Sequence, residues 1–103
     1  MLAHAVYFTL HDASPAGVRA LVEACHQHLS GHDGLLHYSA GPRDPELVRE
    51  VNDAGFDVAL MTVFADRAAH DRYQVHPRHQ AFIAENAPTW KQVRVFDAET
   101  AGA

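Results

Sequence analysis

The stretch AHAVYFTL, residues 3–10, alternates with a period of two: His4, Val6, Phe8 and Leu10 fall on one side, Ala5, Tyr7 and Thr9 on the other. That is the period of a strand, whose successive side chains point to opposite faces. A second run, FDVALMTVF at residues 56–64, sets Phe56, Val58, Leu60, Thr62 and Phe64 against Asp57, Ala59, Met61 and Val63. Both faces of this run are largely apolar, so the sheet that holds it needs cover on both sides.

Between the two runs, Ser14 offers a helix N-cap and Pro15 suits the first helical position. Val18, Leu21, Val22, Cys25 and Leu29 then recur at helical spacing, until Gly31 permits a left-handed turn. Leu35–Gly41 reads as a weaker strand, with Leu36 and Tyr38 on one face and Leu35 and His37 on the other. Asp44-Pro45 can start a short helical turn through Leu47 and Val48, but the connection ending at Asn52-Asp53-Ala54-Gly55 reads mainly as a loop bordering a pocket. After the second run, Asp66 caps a helix carrying Ala69 and Tyr73. The His76-Pro77 step interrupts that helix, because proline has no N–H to give and disfavours a helical residue before it; a second piece runs from Arg78 to about Asn86. Trp90–Asp97 alternates again, Lys91, Val93 and Val95 against Trp90, Arg94 and Phe96, and the tail from Ala98 is expected to fray.

The predicted order is β-α-β-β-α-β, an α+β ferredoxin-like sandwich with its helices on one face of an antiparallel sheet. If the helices cover His4, Val6 and Phe8, the opposite face presents Tyr7, Met61, Val63 and Phe96, too apolar for water. A second copy meeting it across a two-fold axis is the simplest cover, and two such sheets can close into a barrel. With 103 residues the chain suits one domain, and 48% hydrophobic residues predict a packed globule. The formal charge of −5, with Lys and Arg dispersed, argues against nucleic acid and anionic lipid as partners. No stretch approaches the roughly 20 apolar residues of a membrane span, and no signal segment is visible, so a cytoplasmic protein is expected. The single cysteine, Cys25, lies in the apolar helical stripe and reads as a buried, inert thiol.

The opening His4-Ala-Val6-Tyr-Phe8-Thr-Leu10 strand, Phe56-Asp57, Tyr73-Gln-Val-His76-Pro77-Arg-His79 and the closing Val93-Arg-Val95-Phe96-Asp97 together resemble the stress-responsive dimeric α/β-barrel (Dabb) family. The resemblance spans residues 3–97, with 98–103 left as a tail. Tyr-x-x-His-Pro-x-His combined with the N-terminal histidine is its most specific part. It implies a homodimer with a ligand cavity between each sheet and its helices. The family includes olivetolic acid cyclase-like polyketide cyclases, whose catalytic tyrosine and histidine match Tyr73 and His79; their third-strand histidine is replaced here by Val58.

Tyr73 and His79 suit acid–base chemistry on a carbonyl: a neutral imidazole takes a proton, and a phenol donates to an oxygen gaining negative charge. His4, Val6, Phe8, Val58, Leu60 and His76 are the expected substrate contacts for a small carbonyl or aromatic ligand. The structural alternative has Tyr73 anchoring the bend and His79 satisfying a buried carbonyl. A metal site from His4, His76 and His79 lacks a carboxylate at established ligand spacing, so neither metal nor cofactor is expected. His26, His28, His32, His37 and His70 read as surface residues, and Asp57 as a strand-end or interface polar group rather than an acid catalyst. Two functional classes remain: a cofactor-free cyclase- or lyase-like enzyme, and a non-catalytic, stress-related or ligand-binding dimer.

Overall fold

In the computed structural model, which describes residues 1–103, β1 (Leu2–Leu10) buries Leu2, His4, Val6, Phe8 and Leu10 and leaves the residues between them half-buried. It lies inside a four-stranded antiparallel sheet with β2 (Leu35–Pro42), β3 (Val58–Phe64) and β4 (Trp90–Glu99), in the order β2-β3-β1-β4. The expected ferredoxin-like α+β architecture is therefore the one observed. The central strand β3 keeps strict alternation, burying Val58, Leu60, Thr62 and Phe64.

Helix α1 (Pro15–Leu29) starts where Ser14 Oγ accepts from the Gly17 N–H at 3.2 Å. Its stripe of Leu21, Cys25 and Leu29 is buried against the sheet, with Val18 and Val22 packed beside it. Helix α2 (Arg67–Val75) is capped by Asp66, whose carboxylate accepts from the Ala69 N–H at 2.8 Å. Pro77 then breaks the helix as expected, and α3 (Pro77–Asn86) begins with His76 as its cap: the Arg78 N–H donates to His76 Nδ1 at 3.0 Å. No helix is long and apolar enough to cross a membrane.

Alternation fails in the edge strands. The β1–β4 register slips between Thr9 and Leu10, so that Leu10 faces Trp90 and Lys91 is passed over. The extra residue turns Trp90 to the helix side, where its ring packs on Phe8 at 5.0 Å and Phe82 at 5.7 Å, not with Arg94 and Phe96. A similar slip between Leu35 and His37 puts Leu35 on the core side with Tyr38 and leaves Leu36 exposed. Residues 56 and 57 precede β3 rather than opening it. Phe56 packs on Tyr7 at 4.9 Å, on the uncovered face, while Asp57 Oδ2 accepts from the Leu10 N–H at 2.8 Å, the strand-end role expected of it. The connection after β2 turns at residues 45–46 and forms no helix. At the other end β4 continues past Asp97 to Glu99, and the Thr100 N–H donates to the Met1 carbonyl at 2.8 Å.

Two glycines with positive φ separate backbone strain from crowding. Gly31 (φ 72°) has open space where a Cβ would stand, whereas at Gly34 (φ 77°) a Cβ would lie 2.5 Å from the Ala69 Cβ of α2. Gly31→Ala should cost about 1 kcal/mol, the left-handed penalty alone. Gly34→Ala should cost about 3 kcal/mol, since α2 must also move away from the β2 entry. Urea unfolding of the two variants checks this; equal losses would mean that the Gly34–α2 approach does not hold the helix in place.

Candidate functional site

The break at Pro77 decides what the helices present to the sheet. Tyr73 ends α2 and His79 opens α3, and both rings turn inward, 4.6 Å apart between centroids and edge to face. They border a cavity of about 400 Å³ between the helices and the β1 and β4 side of the sheet. His4, Val6, Phe8 and Leu60 of the sheet line it, as expected, together with Phe82 and Ile83 of α3 and Val93 and Val95 of β4.

Two expected contacts lie elsewhere. Val58 is fully buried in the core beside Phe8 in the ladder and does not line the cavity. His76 is exposed, and its Nδ1 is engaged in capping α3; the turn that lets Tyr73 and His79 converge points it outward. In their place the cavity holds His70, Gln74, Trp90 and Asp97. His70 stands one helical turn before Tyr73, so i, i+3 spacing was the signal that it shares that face. Asp97 continues the Val93, Val95 alternation and pairs with His4 across the ladder. His32, expected at the surface, is buried under the bend, its ring 5.0 Å from Tyr73 and 4.9 Å from His76, and its Nε2–H donates to the His28 carbonyl at 2.8 Å.

Polar atoms sit in this apolar wall in an unusual way. The Tyr73 hydroxyl, His79 Nδ1 and Trp90 Nε1 are buried without a hydrogen-bond partner in the protein, and all three residues line the cavity. An unpaired buried polar group costs roughly 1–3 kcal/mol, so native proteins rarely carry several on one wall. His4, by contrast, is held: its Nδ1 and the Asp97 carboxylate are 2.5 Å apart.

Burial, and after it the neighbouring imidazoles of His32, His4 and His70, pushes the His79 pKa down to about 4, so the ring is neutral at pH 7. A histidine ordinarily changes charge between about pH 5 and 8; burial takes this one below that range. Burial raises the Tyr73 pKa, with Cys25 and Tyr38 adding to it, and the phenol keeps its proton. At neutral pH the pair is thus one uncharged imidazole and one un-ionised phenol, able to accept a proton and to donate a hydrogen bond.

The chain matches the Dabb family, the Stress responsive A/B Barrel Domain, over residues 2–100. No functionally curated protein matches it in sequence. Among solved structures, a Dabb family protein of Mesorhizobium loti with a ferredoxin-like fold is 25% identical, superposes with a TM-score of 0.79, and is aligned over 98% of this chain and 97% of its own. A dimeric ferredoxin-like protein of unknown function from Thermobifida fusca is 23% identical (TM-score 0.78; 96% and 90% of the two chains). The hydroxynitrile lyase of Passiflora edulis is 16% identical (TM-score 0.76; 99% and 94%). With a family match along almost its whole length, this chain belongs to the stress-responsive A/B barrel (Dabb) domain family.

Proposed function

We propose that the protein works as a homodimer closed through the uncovered sheet face of Tyr7, Met61, Val63 and Phe96. In each subunit, Tyr73 and His79 act as a cofactor-free acid–base pair on a small carbonyl compound, in the manner of a polyketide cyclase or lyase. An apolar cavity lined by Tyr73, His79 and Trp90, each of which carries a buried polar atom without a partner in the protein, carries the reading. Such a wall matches a ligand with an apolar body and a few oxygens. The Passiflora edulis lyase is a precedent for catalysis on this fold, and the Thermobifida fusca protein for a dimer.

The chemistry follows from the two protonation states. His79 takes a proton from a carbon next to the substrate carbonyl, and the C=O π electrons collect on oxygen as an enolate. The Tyr73 hydroxyl donates to that oxygen. When the enolate carbon attacks a second carbonyl, a C–C bond forms and the new alkoxide recovers the proton from the imidazolium. With a conjugate acid near pH 4, His79 is a weak base, so the proton must already be acidic, as it is between two carbonyls. The same weakness favours the second reading, a dimer that binds a ligand without turning it over.

On the uncovered face Met61 and Phe96 are 39% and 56% exposed in one chain, and the Tyr7 ring lies 5.7 Å from that of Phe96. Sedimentation at micromolar concentration should give a dimer. Met61→Asp should shift it to a folded monomer, since the side chain is outside the subunit's own core; a wild-type monomer would remove the dimer from the proposal.

In a screen of β-polyketones, Tyr73→Phe and His79→Ala should each lower turnover by roughly a hundredfold. The double variant should be little worse than the poorer single one, as befits one unit. Full rates in both single variants would assign the residues to the scaffold.

Protonation also leaves a mark on stability. Above pH 6.5 His79 is neutral in both the folded and the unfolded chain; between 6.5 and about 4 only the unfolded chain takes up the proton. Stability therefore falls as pH drops through that window and levels off below it. Urea unfolding should show a weaker fold at pH 5 than at pH 7, and His79→Gln should shrink the difference. The remainder belongs to His32, whose pKa burial lowers in the same direction.

A further inference from the structure

Beside the acid–base pair, with the His4 ring 6.4 Å from that of Tyr73, a second cluster has a different chemistry. His4 of β1, His70 of α2 and Asp97 of β4 each offer one ligand atom, and these atoms lie within 4.8 Å of one another. We propose that they form a binding site for a divalent first-row transition ion of the zinc or iron(II) kind, at the cavity wall.

The donor set is the first reason. Two imidazoles and a carboxylate suit zinc, iron, cobalt and nickel, whereas magnesium and calcium prefer all-oxygen sites. Geometry is the second. A tetrahedral ion about 2.1 Å from each ligand spaces the ligand atoms by about 3.4 Å. The cluster brackets that value: His4 Nδ1 and Asp97 Oδ1 are 2.5 Å apart, and no pair exceeds 4.8 Å. Small side-chain rotations open the first and close the rest, and α2 already holds the His70 ring edge-on to His4 at 4.9 Å between centroids.

The third reason is the shell behind His70. Its Nδ1 lies 3.0 Å from Asp71 Oδ1, and a carboxylate only accepts, so Nδ1 carries the proton; the Nε2 lone pair accepts from the Gln74 amide at 3.3 Å, a long contact that a metal would replace. A carboxylate behind a ligating imidazole in this way fixes the tautomer and raises its basicity. Asp71 and Asp97 also make the cluster anionic, with Arg67 the cation paired to Asp71 at 3.2 Å. Finally, three protein ligands leave a coordination position, and the cavity beside it is lined by Tyr73 and His79.

The inference does not depend on the acid–base reading, and its test reads the ion directly. Tag-free protein stripped with EDTA and desalted is titrated with Co²⁺, followed by its visible ligand-field absorption, and then competed with Zn²⁺. One ion per chain at micromolar concentration or tighter is expected, with a rise in Tm on Zn²⁺ addition. His70→Gln and Asp97→Asn should each weaken binding at least tenfold, and Asp71→Asn about tenfold. Both ligands reach solvent, so these variants keep the fold, which circular dichroism verifies. Tyr73→Phe should bind Co²⁺ as the wild type does, which separates this site from the proposed acid–base pair. No absorption at one equivalent, or unchanged affinity in His70→Gln, overturns the site and leaves the His4–Asp97 contact as a hydrogen bond alone.

Discussion

A sheet with its helices on one side has to treat its two faces as different solvents. In this chain the difference is set in β1, where Leu2, His4, Val6, Phe8 and Leu10 are buried and the alternate residues are not. Because β1 and β3 are the inner strands, a one-residue slip between them would exchange the core row for the uncovered row. Helix α1 can then pack only where Leu21, Cys25 and Leu29 find that core row. The aromatic and sulfur-bearing side chains of the other row, Tyr7, Met61 and Phe96, are left for whatever meets the sheet from outside.

The cavity exists because the helix layer is not continuous. Pro77 divides the second helical segment, and the two halves hold Tyr73 and His79 at an angle that an unbroken helix would not allow. Beyond them the wall is finished by β4, an edge strand whose Val93, Val95 and Asp97 are partly exposed, so the space opens along that edge. Three polar atoms without partners oppose stability at this place, and a scaffold that keeps them gives up several kcal/mol of potential gain, a pattern common where binding rather than packing sets the residues.

Much of this was legible in the residues. Period-two alternation read the inner strands correctly because both neighbours of an inner strand hold its register. At the edges one neighbour is missing, and bulges near Lys91 and Leu36 reversed the facing of Trp90 and Leu35. Capping chemistry located the starts of α1 and α2 and the break at Pro77, since each rests on a side chain a few residues away. What the sequence hid was long-range. The burial of His32 depends on the bend folding over it, and the place of His70 depends on which side of α2 meets His4. His76 shows the converse: the motif that carries the resemblance includes it, yet its imidazole is spent on the helix cap. Tyr73 and His79, singled out for their chemistry, both border the cavity, and Asp97, which borders it too, was not singled out although it stands directly across the ladder from His4.

Cys25 illustrates a different use of the same packing. Fully buried between helix and sheet, its thiol is pushed up to about 12, so almost none of it is thiolate at neutral pH. Oxidants and electrophiles attack the thiolate, which leaves the folded chain chemically silent towards them at its one sulfhydryl. For the experimentalist this is a blank background. A cysteine introduced at any exposed position can carry a spin label or fluorophore without a competing native site, and reactivity appearing at Cys25 itself becomes a clock for the opening of the helix layer.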